Sequence, residues 1–518
     1  MKKIFTHLLL CASFGASAQA KFLDSSFHFN GLQDSLAAAF APQQAGWAKT
    51  VALQPDGKIL LVVNAQNKIN LMRLNADGTK DAGFATGGLF RGSPTTTGST
   101  EPTDVAVQPD GKILLLGHAF STAQKQDVVL YRLLANGTPD NAFGTNGLVM
   151  TSTPGSNSYD YSRKVLLRPN GKIVVVGSTN TLNSDDKHLL VQYNTDGTLD
   201  AGFGTGGIAV QAPTGKAVSG LGGLLQPDGK IVVFGAQYAG SGSVGVVARY
   251  DSTGAVDDSF GTDGYREEII HNRPATTVKD AALQSDGKMV LSLYAIPDSI
   301  HATRLSADGE RDLSFGQNGL ATLKPGGSSN WGFLEKIIVL PGDSLLFGCN
   351  AVVDAARQYD FTVVRLTPNG AVDLMWGDNG KVVADFHQDY DNLYGMAVQP
   401  DGKMVACGSS RQNDNTSLGY PSVARFKKIS RSASSSVAFL SNTGIVLHLY
   451  PNPTTGALQI EGARAGDRVT LRNTFGQVVL QQTLTAAPLQ LQSLSAGLYH
   501  LLVVRGESII GGGRIVKE

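Results

Sequence analysis

Seven times the chain sets a hydrophobic stretch, the turn Gln-Pro-Asp-Gly-Lys or a variant of it, and a second hydrophobic stretch in that order. The last position of the turn falls at Lys58, Lys112, Lys172, Lys230, Lys288, Ser344 and Lys403. A near-fixed period of strand-like units defines a repeat architecture, in which each unit needs its neighbours to bury its apolar face. The first full unit shows how. Val51-Ala52-Leu53 reads as a short strand, Gln54 to Lys58 as a turn and Ile59 to Val63 as a buried returning strand. In the turn, Pro presets φ, Asp bonds its own backbone and Gly takes the left-handed position. Leu71 to Leu74 follows, then a second turn, Asn75-Ala76-Asp77-Gly78, and a closing Asp81-Ala82-Gly83-Phe84. Four strands joined by tight hairpins make one propeller blade.

The closing element, Asp-x-x-Phe or Asp-x-x-Trp, recurs at Asp140–Phe143, Asp200–Phe203, Asp257–Phe260, Asp312–Phe315 and Asp373–Trp376. The seventh copy is displaced. It stands at Asp24–Phe27, before any turn of the repeat, while the last repeat stops at Phe426 without one. The amino-terminal segment is therefore expected to dock beside the last blade as its outer strand and close a seven-bladed ring, removing two open sheet edges. Glycine, 61 of 518 residues, exceeds the usual ~7 % because it marks regular turns.

These residues resemble the delta-60 repeat of bacterial extracellular proteins, over about residues 22 to 428. The sixth repeat departs from it, with Pro341-Gly342-Asp343-Ser344 in the turn. The resemblance implies a secreted repeat protein without established catalysis.

Residues 1–20 read as a secretory signal: Lys2 and Lys3, an apolar stretch from Ile4 to Phe14, and small residues up to Ala20. Leu10 before Cys11 argues against a lipobox. Residues 429–446 read as a Ser-rich linker. Residues 447–518 open on Tyr450-Pro451-Asn452-Pro453 and continue with alternating strand patterns to a basic end. They look like the type A sorting domain of the type IX secretion system. That likeness assigns the signal to Pro451, Asn452, Pro453, Gly497, Tyr499, Arg514 and Lys517. It implies passage through the periplasm, carriage of the folded protein across the outer membrane by the type IX machinery, and removal of the module there, with exchange for a surface lipopolysaccharide link as one possible sequel. A small β-sandwich binding domain is the bland alternative. The expected whole is all-β: a seven-bladed propeller (21–428) closed by an amino-terminal strand, then a small β-sandwich.

The chemistry-bearing patterns are mostly structural in this reading. Asp-Gly-x-x-Asp loops such as Asp77–Asp81 suit turn capping better than calcium. An arginine in the third strand of six repeats (Arg73, Arg132, Arg249, Arg304, Arg365, Arg425, with Gln192 the exception) recurs too often for an active site and is expected to pair with an Asp. Gly240 to Gly245 matches G-x-G-x-x-G but runs into a strand, so the helix terminus that binds phosphate is missing. No cofactor and no metal is expected. Cys349 and Cys407 are expected to be buried free thiols. Zero net charge without a basic cluster argues against nucleic acid, and no stretch approaches a membrane span.

Function usually sits on variable loops held by a rigid scaffold. The face opposite the recurring turns would carry Lys49, Arg163, Lys279, Glu335 and Tyr394 where the innermost strands begin, with Trp47, Tyr159, Tyr161 and Trp331 nearby. Aromatics beside mixed charges suit a polysaccharide or a surface protein. The leading expectation is thus a secreted or surface binding protein rather than an enzyme. The alternatives are a structural or adhesive component, or a glycan hydrolase or lyase using Asp104, Asp280 and Glu335, which would need two converging carboxylates.

Overall fold

A computed structural model describes residues 21–28, 30–34, 36, 39, 45–95, 98–122, 125–154, 158–181, 186–213, 215–239, 242–268, 276–295, 299–326, 332–352, 359–387, 389–411, 419–428, 447–450, 452, 454–473, 477–485, 487–506 and 508–517. The proposed signal peptide and linker, Trp331, Pro451 and Pro453 lie outside the described residues. The fold is all-β, and among the described residues no helix is long and apolar enough to cross a membrane. The chain divides into two compact units, up to Ile429 and from Ser430.

In the first unit, the first repeat folds as Gly46–Leu53, Ile59–Ala65, Lys68–Leu74 and Leu89–Gly92, paired antiparallel in that order. The second strand is a solid buried run because sheets stack on both of its faces. The Asp81–Phe84 element, at which the sequence ended the unit, is a turn, and a fourth strand of four residues follows it. Strands within residues 217–268, 276–323 and 332–384 repeat the pattern as separate sheets. Those within 100–151 and 158–211 join through one parallel pair, Tyr159 with Gln126. The last sheet holds Asp391–Val398, Met404–Arg411 and Gly419–Phe426. Its fourth strand is Leu32–Gln33, with Leu32 opposite Ala424 and Gln33 opposite Val423. Each first strand lies beside the first strand of the next repeat, and Asp391–Val398 lies beside Gly46–Leu53.

The recurring motifs meet in one network per repeat. Asp81 Oδ2 accepts from Arg73 Nε at 2.7 Å and from Lys58 Nζ, the turn lysine, at 2.8 Å. Arg73 lies over the Phe84 ring at 4.5 Å and donates to Gln54 and to the Ala135 carbonyl of the next repeat. Phe84 packs under the next turn, where a Cβ on Gly137 would come within 2.6 Å of its ring. The same lysine–arginine–aspartate set recurs around Asp140, Asp257 and Asp312. In the third repeat two positions exchange: Arg168 takes the place of the turn glutamine and donates to Gln192, which donates to Asp200. In the sixth, Ser344 replaces the lysine and accepts from Arg365.

The last repeat borrows its closing element from the other end of the chain. Arg425 Nη2 and Lys403 Nζ reach Asp24 at 2.9 and 3.1 Å, and Arg425 lies 4.6 Å over Phe27. Phe27 packs under Gly78 of the first repeat, and Arg425 donates to the Ala76 carbonyl. The links from last repeat to first thus copy those between consecutive repeats.

The second unit has two sheets. His448–Tyr450, Ala457–Glu461 and Leu489–Gln490 form one, and Val478–Thr483, Arg468–Arg472, Gly497–Arg505 and Ser508–Lys517 the other. They enclose a core that includes Leu449, Leu458, Val469, Leu471, Leu501 and Ile515.

Candidate functional site

Every first strand breaks register at the same point. Pairing skips one residue between Ala48 and Thr50, Pro102 and Asp104, Ser162 and Lys164, and Gly220 and Gly222. It does so again between Val278 and Asp280, Leu334 and Lys336, and Leu393 and Gly395. The skipped residues are Lys49, Thr103, Arg163, Leu221, Lys279, Glu335 and Tyr394. A bulge leaves one residue out of the ladder and re-aims its side chain. Five of the seven are the residues that the sequence placed at the start of the strands. They lie inside the strands instead: Ser158–Leu167 carries Tyr159, Tyr161 and Arg163 within the strand. Trp47 is half-buried two residues before its bulge.

The charges at this level fall into three groups. Lys49 pairs with Glu101, and His118 Nε2 lies 3.6 Å from the same carboxylate. The His118 hydrogen bond, with Lys49 adding, pulls Glu101 down to about 2. In the second group, Asp104 meets Lys164 at 3.1 Å and accepts from the Val165 amide, and Asp280 meets Lys336 at 2.9 Å and accepts from the Ile337 amide. Burial would lower Lys164, but Asp104, and then Asp280, hold it above its usual value. The struts tie the second repeat to the third and the fifth to the sixth, and they commit both aspartates to the frame.

In the third group no such strut forms among the described residues. Arg163 lies over Tyr161 at 5.8 Å, its buried Nε has no acceptor, and among the described residues no carboxylate lies within ion-pair distance of it. Lys279 is exposed. Burial, with Asp280 adding and Lys279 opposing, raises Glu335 to about 7, and burial also raises Tyr394. Asp104, Asp280 and Glu335 therefore offer one carboxyl free for chemistry, not a pair. A groove of about 660 Å³ lies apart from the bulges, lined by residues such as Pro213, Lys216, Tyr265 and Glu267, with Lys216 paired to Glu267.

In the second unit the described residues assigned to sorting converge. Asn452 donates to the Arg514 carbonyl at 2.8 Å and accepts from the Val516 amide at 2.9 Å. Gly497 stands opposite Lys517 and Tyr499 opposite Ile515, and the Tyr499 hydroxyl donates to Ser495. Arg514 is exposed. The two thiols, Cys349 and Cys407, are free and buried. Gly242–Tyr250 is a strand, so no helix follows the glycine-rich match.

Residues 54–84, 108–143, 168–203 and 226–260 match the family model described as a domain of unknown function (DUF5122) beta-propeller, and residues 448–517 a secretion system C-terminal sorting domain. The chain carries these propeller repeats and a type IX sorting tail, which marks it for export to the cell surface or the medium. No curated protein matches it in sequence. Among solved structures, a protein of unknown function from Dyadobacter fermentans is 12 % identical, with TM-score 0.39, covering 77 % of this chain and 99 % of its own. A polysaccharide lyase titled as a PL25 ulvan lyase is 10 % identical, with TM-score 0.39, covering 74 % and 94 %. The NanB sialidase from Streptococcus pneumoniae, in a mutant form, is 12 % identical, with TM-score 0.39, covering 77 % and 70 %.

Proposed function

We propose that residues 21–428 close into a seven-bladed propeller that binds an anionic polysaccharide across the level of its seven bulges. The observation that carries this reading is the bulge itself. One device recurs in all seven first strands, yet it presents a different side chain in almost every one. The frame repeats and the displayed surface does not, as a ligand lacking sevenfold symmetry requires. Arg163, without a carboxylate partner among the described residues, and exposed Lys279 supply positive charge, and Tyr159, Tyr161 and Tyr394 supply ring faces on which sugars stack. The copied links from last repeat to first support closure, and the sorting tail supports a surface or extracellular ligand.

A thermal-shift screen of uronate, sulfated and neutral polysaccharides tests the reading. Anionic ones should raise the melting temperature, less at high salt, and Arg163→Ala with Lys279→Ala should abolish the effect. No shift across the panel would overturn it in favour of a structural or protein-binding role. Glu335 favours one further reading, a lyase or hydrolase with Glu335 as its acid. Product release that is lost in Glu335→Gln would establish that instead.

A further inference from the structure

Where the sixth repeat meets the seventh, three carboxylates from three strand ends converge. Asp360 lies in the third strand of the sixth repeat (Tyr359–Leu366), Asp385 directly follows its fourth (Lys381–Ala384), and Asp391 begins the first strand of the seventh. One oxygen from each lies within 4.8 Å of the other two. Asp360 and Asp391 have no exposed surface and Asp385 has 8 %. Asp391 Oδ2 accepts from the Phe386 amide at 2.7 Å, but among the described residues its buried Oδ1 meets no donor. Burial, with repulsion from Asp360, Asp385 and Asp389 adding to it, raises Asp391 to about 9.

The junction of the second and third repeats shows how the same place is filled without a ligand. There Asp127, Ser152 and Asp160 stand where Asp360, Asp385 and Asp391 stand here, and Asp160 and Asp391 each precede their bulge by three residues. The Ser152 hydroxyl donates to Asp127. Asp160 Oδ1 receives hydroxyls from Thr153 and Thr179, and Oδ2 receives the Thr153 amide. At the later junction Phe386 replaces Thr153 and keeps only the amide. Ser410, opposite Asp391, is paired with Ser422 instead. Asp385 replaces Ser152. Two donors have gone and an acceptor has been added, all around one atom, Asp391 Oδ1. A buried carboxylate oxygen left without a donor is costly, and a cation beside it removes that cost.

We propose that Asp360, Asp385 and Asp391 hold a hard divalent cation, calcium in the first place. Three carboxylates without histidine or thiol suit an oxygen-seeking ion, and an exported protein meets calcium at concentrations where a site of about 10⁻⁴ to 10⁻³ M fills. The bound ion fixes the connection from Asp385 to Asp391, which presents Tyr390 against Tyr359, the ring centroids 5.8 Å apart.

The test is calorimetric titration of the chelator-treated full chain with calcium, magnesium or manganese alone, paired with thermal melts. One calcium should bind per chain and raise the melting temperature. Asp385→Ser, which installs the residue of the earlier junction, should weaken binding at least tenfold. Asp391→Asn should show the opposite signs in the two conditions: no less stable than the parent in chelator, because repulsion is relieved, yet unmoved by calcium. No heat and no melting shift up to about 10 mM of any of the three ions, ten times the weak end of such sites, would overturn the proposal and leave the carboxyls sharing protons. Equal calcium responses in the parent and both variants would overturn it too.

Discussion

Phe27→Ala measures whether the amino-terminal segment completes the last repeat. Phe27 has no exposed surface, packs under Gly78 and carries the Arg425 guanidinium on its face. Truncating a fully buried Phe costs about 3–5 kcal/mol, and losing the cation's ring adds roughly 1 kcal/mol. Phe84 and Phe143 occupy the same place between consecutive repeats, with Arg73 and Arg132 at 4.5 and 4.4 Å. In a closed ring the junction of last and first repeats equals any other, so Phe27→Ala, Phe84→Ala and Phe143→Ala should lower stability alike, by about 4 kcal/mol. In an open array the terminal residue would only fray. The assay is urea unfolding followed by tryptophan fluorescence, which reports this unit alone because the three tryptophans are Trp47, Trp331 and Trp376. If Phe27→Ala keeps the parental midpoint while Phe84→Ala loses stability, the segment is not docked and the closure argument fails.

Further outcomes follow from the same contacts. Deleting residues 21–32 should leave a poorly soluble or strongly destabilised protein, since the sheet edge at Gly419–Phe426 opens; unchanged melting would count against the clasp. Arg168→Gln and Gln192→Arg should each destabilise by about 1–3 kcal/mol, while the double variant, which restores the pattern of Gln54 and Arg73, should recover most of the loss in a double-mutant cycle. Glu335 has a folded value of about 7 against an ordinary 4.5, so its burial costs nothing below about pH 4.5 and increasingly more as pH rises through 7. Glu335→Gln should therefore gain up to roughly 3 kcal/mol over the parent at pH 8 and nothing at pH 4; a gain independent of pH would refute this. Gly137→Ala should be severely destabilising, because its φ is +87° and its Cβ meets Phe84 at 2.6 Å.

The repeat was legible because turn chemistry is local: Pro, Asp and Gly each leave a residue-type signature. The arginine–aspartate pairs were legible because they recur at a fixed distance. What escaped was non-local or unsigned. The turn lysine shows its role only once Lys58 is seen to share Asp81 with Arg73. The fourth strand, Leu89–Gly92, is too short to show alternation. Gln192 looked like a lapse in the pattern until Arg168 proved to hold the exchanged partner. The bulges have no signature at all, since lysine, threonine, arginine, leucine, glutamate and tyrosine all occupy them; five were picked from the sequence as polar residues beside loops, not as bulges. Asp360, Asp385 and Asp391 sit in two repeats and at no metal-like spacing, so only the fold could bring them together.

These contrasts explain why variation collects at the bulges. At the turn end, the arginine of the network answers to partners in two repeats: Arg73 binds Asp81 in its own repeat and the Ala135 carbonyl in the next. A substitution there can strand a buried charge, which is costly, and at Arg168 and Gln192 the network has changed by a compensated exchange. At the bulge end, the residue has already left the ladder, and the backbone bonds on either side do not depend on what it is. The frame therefore constrains Lys279 or Tyr394 far less than it constrains Asp104 or Asp280, one residue past a bulge, whose carboxylates each hold an amide of the next first strand. Alternation of fixed and free positions at consecutive residues of one strand is what lets a rigid frame carry an irregular surface.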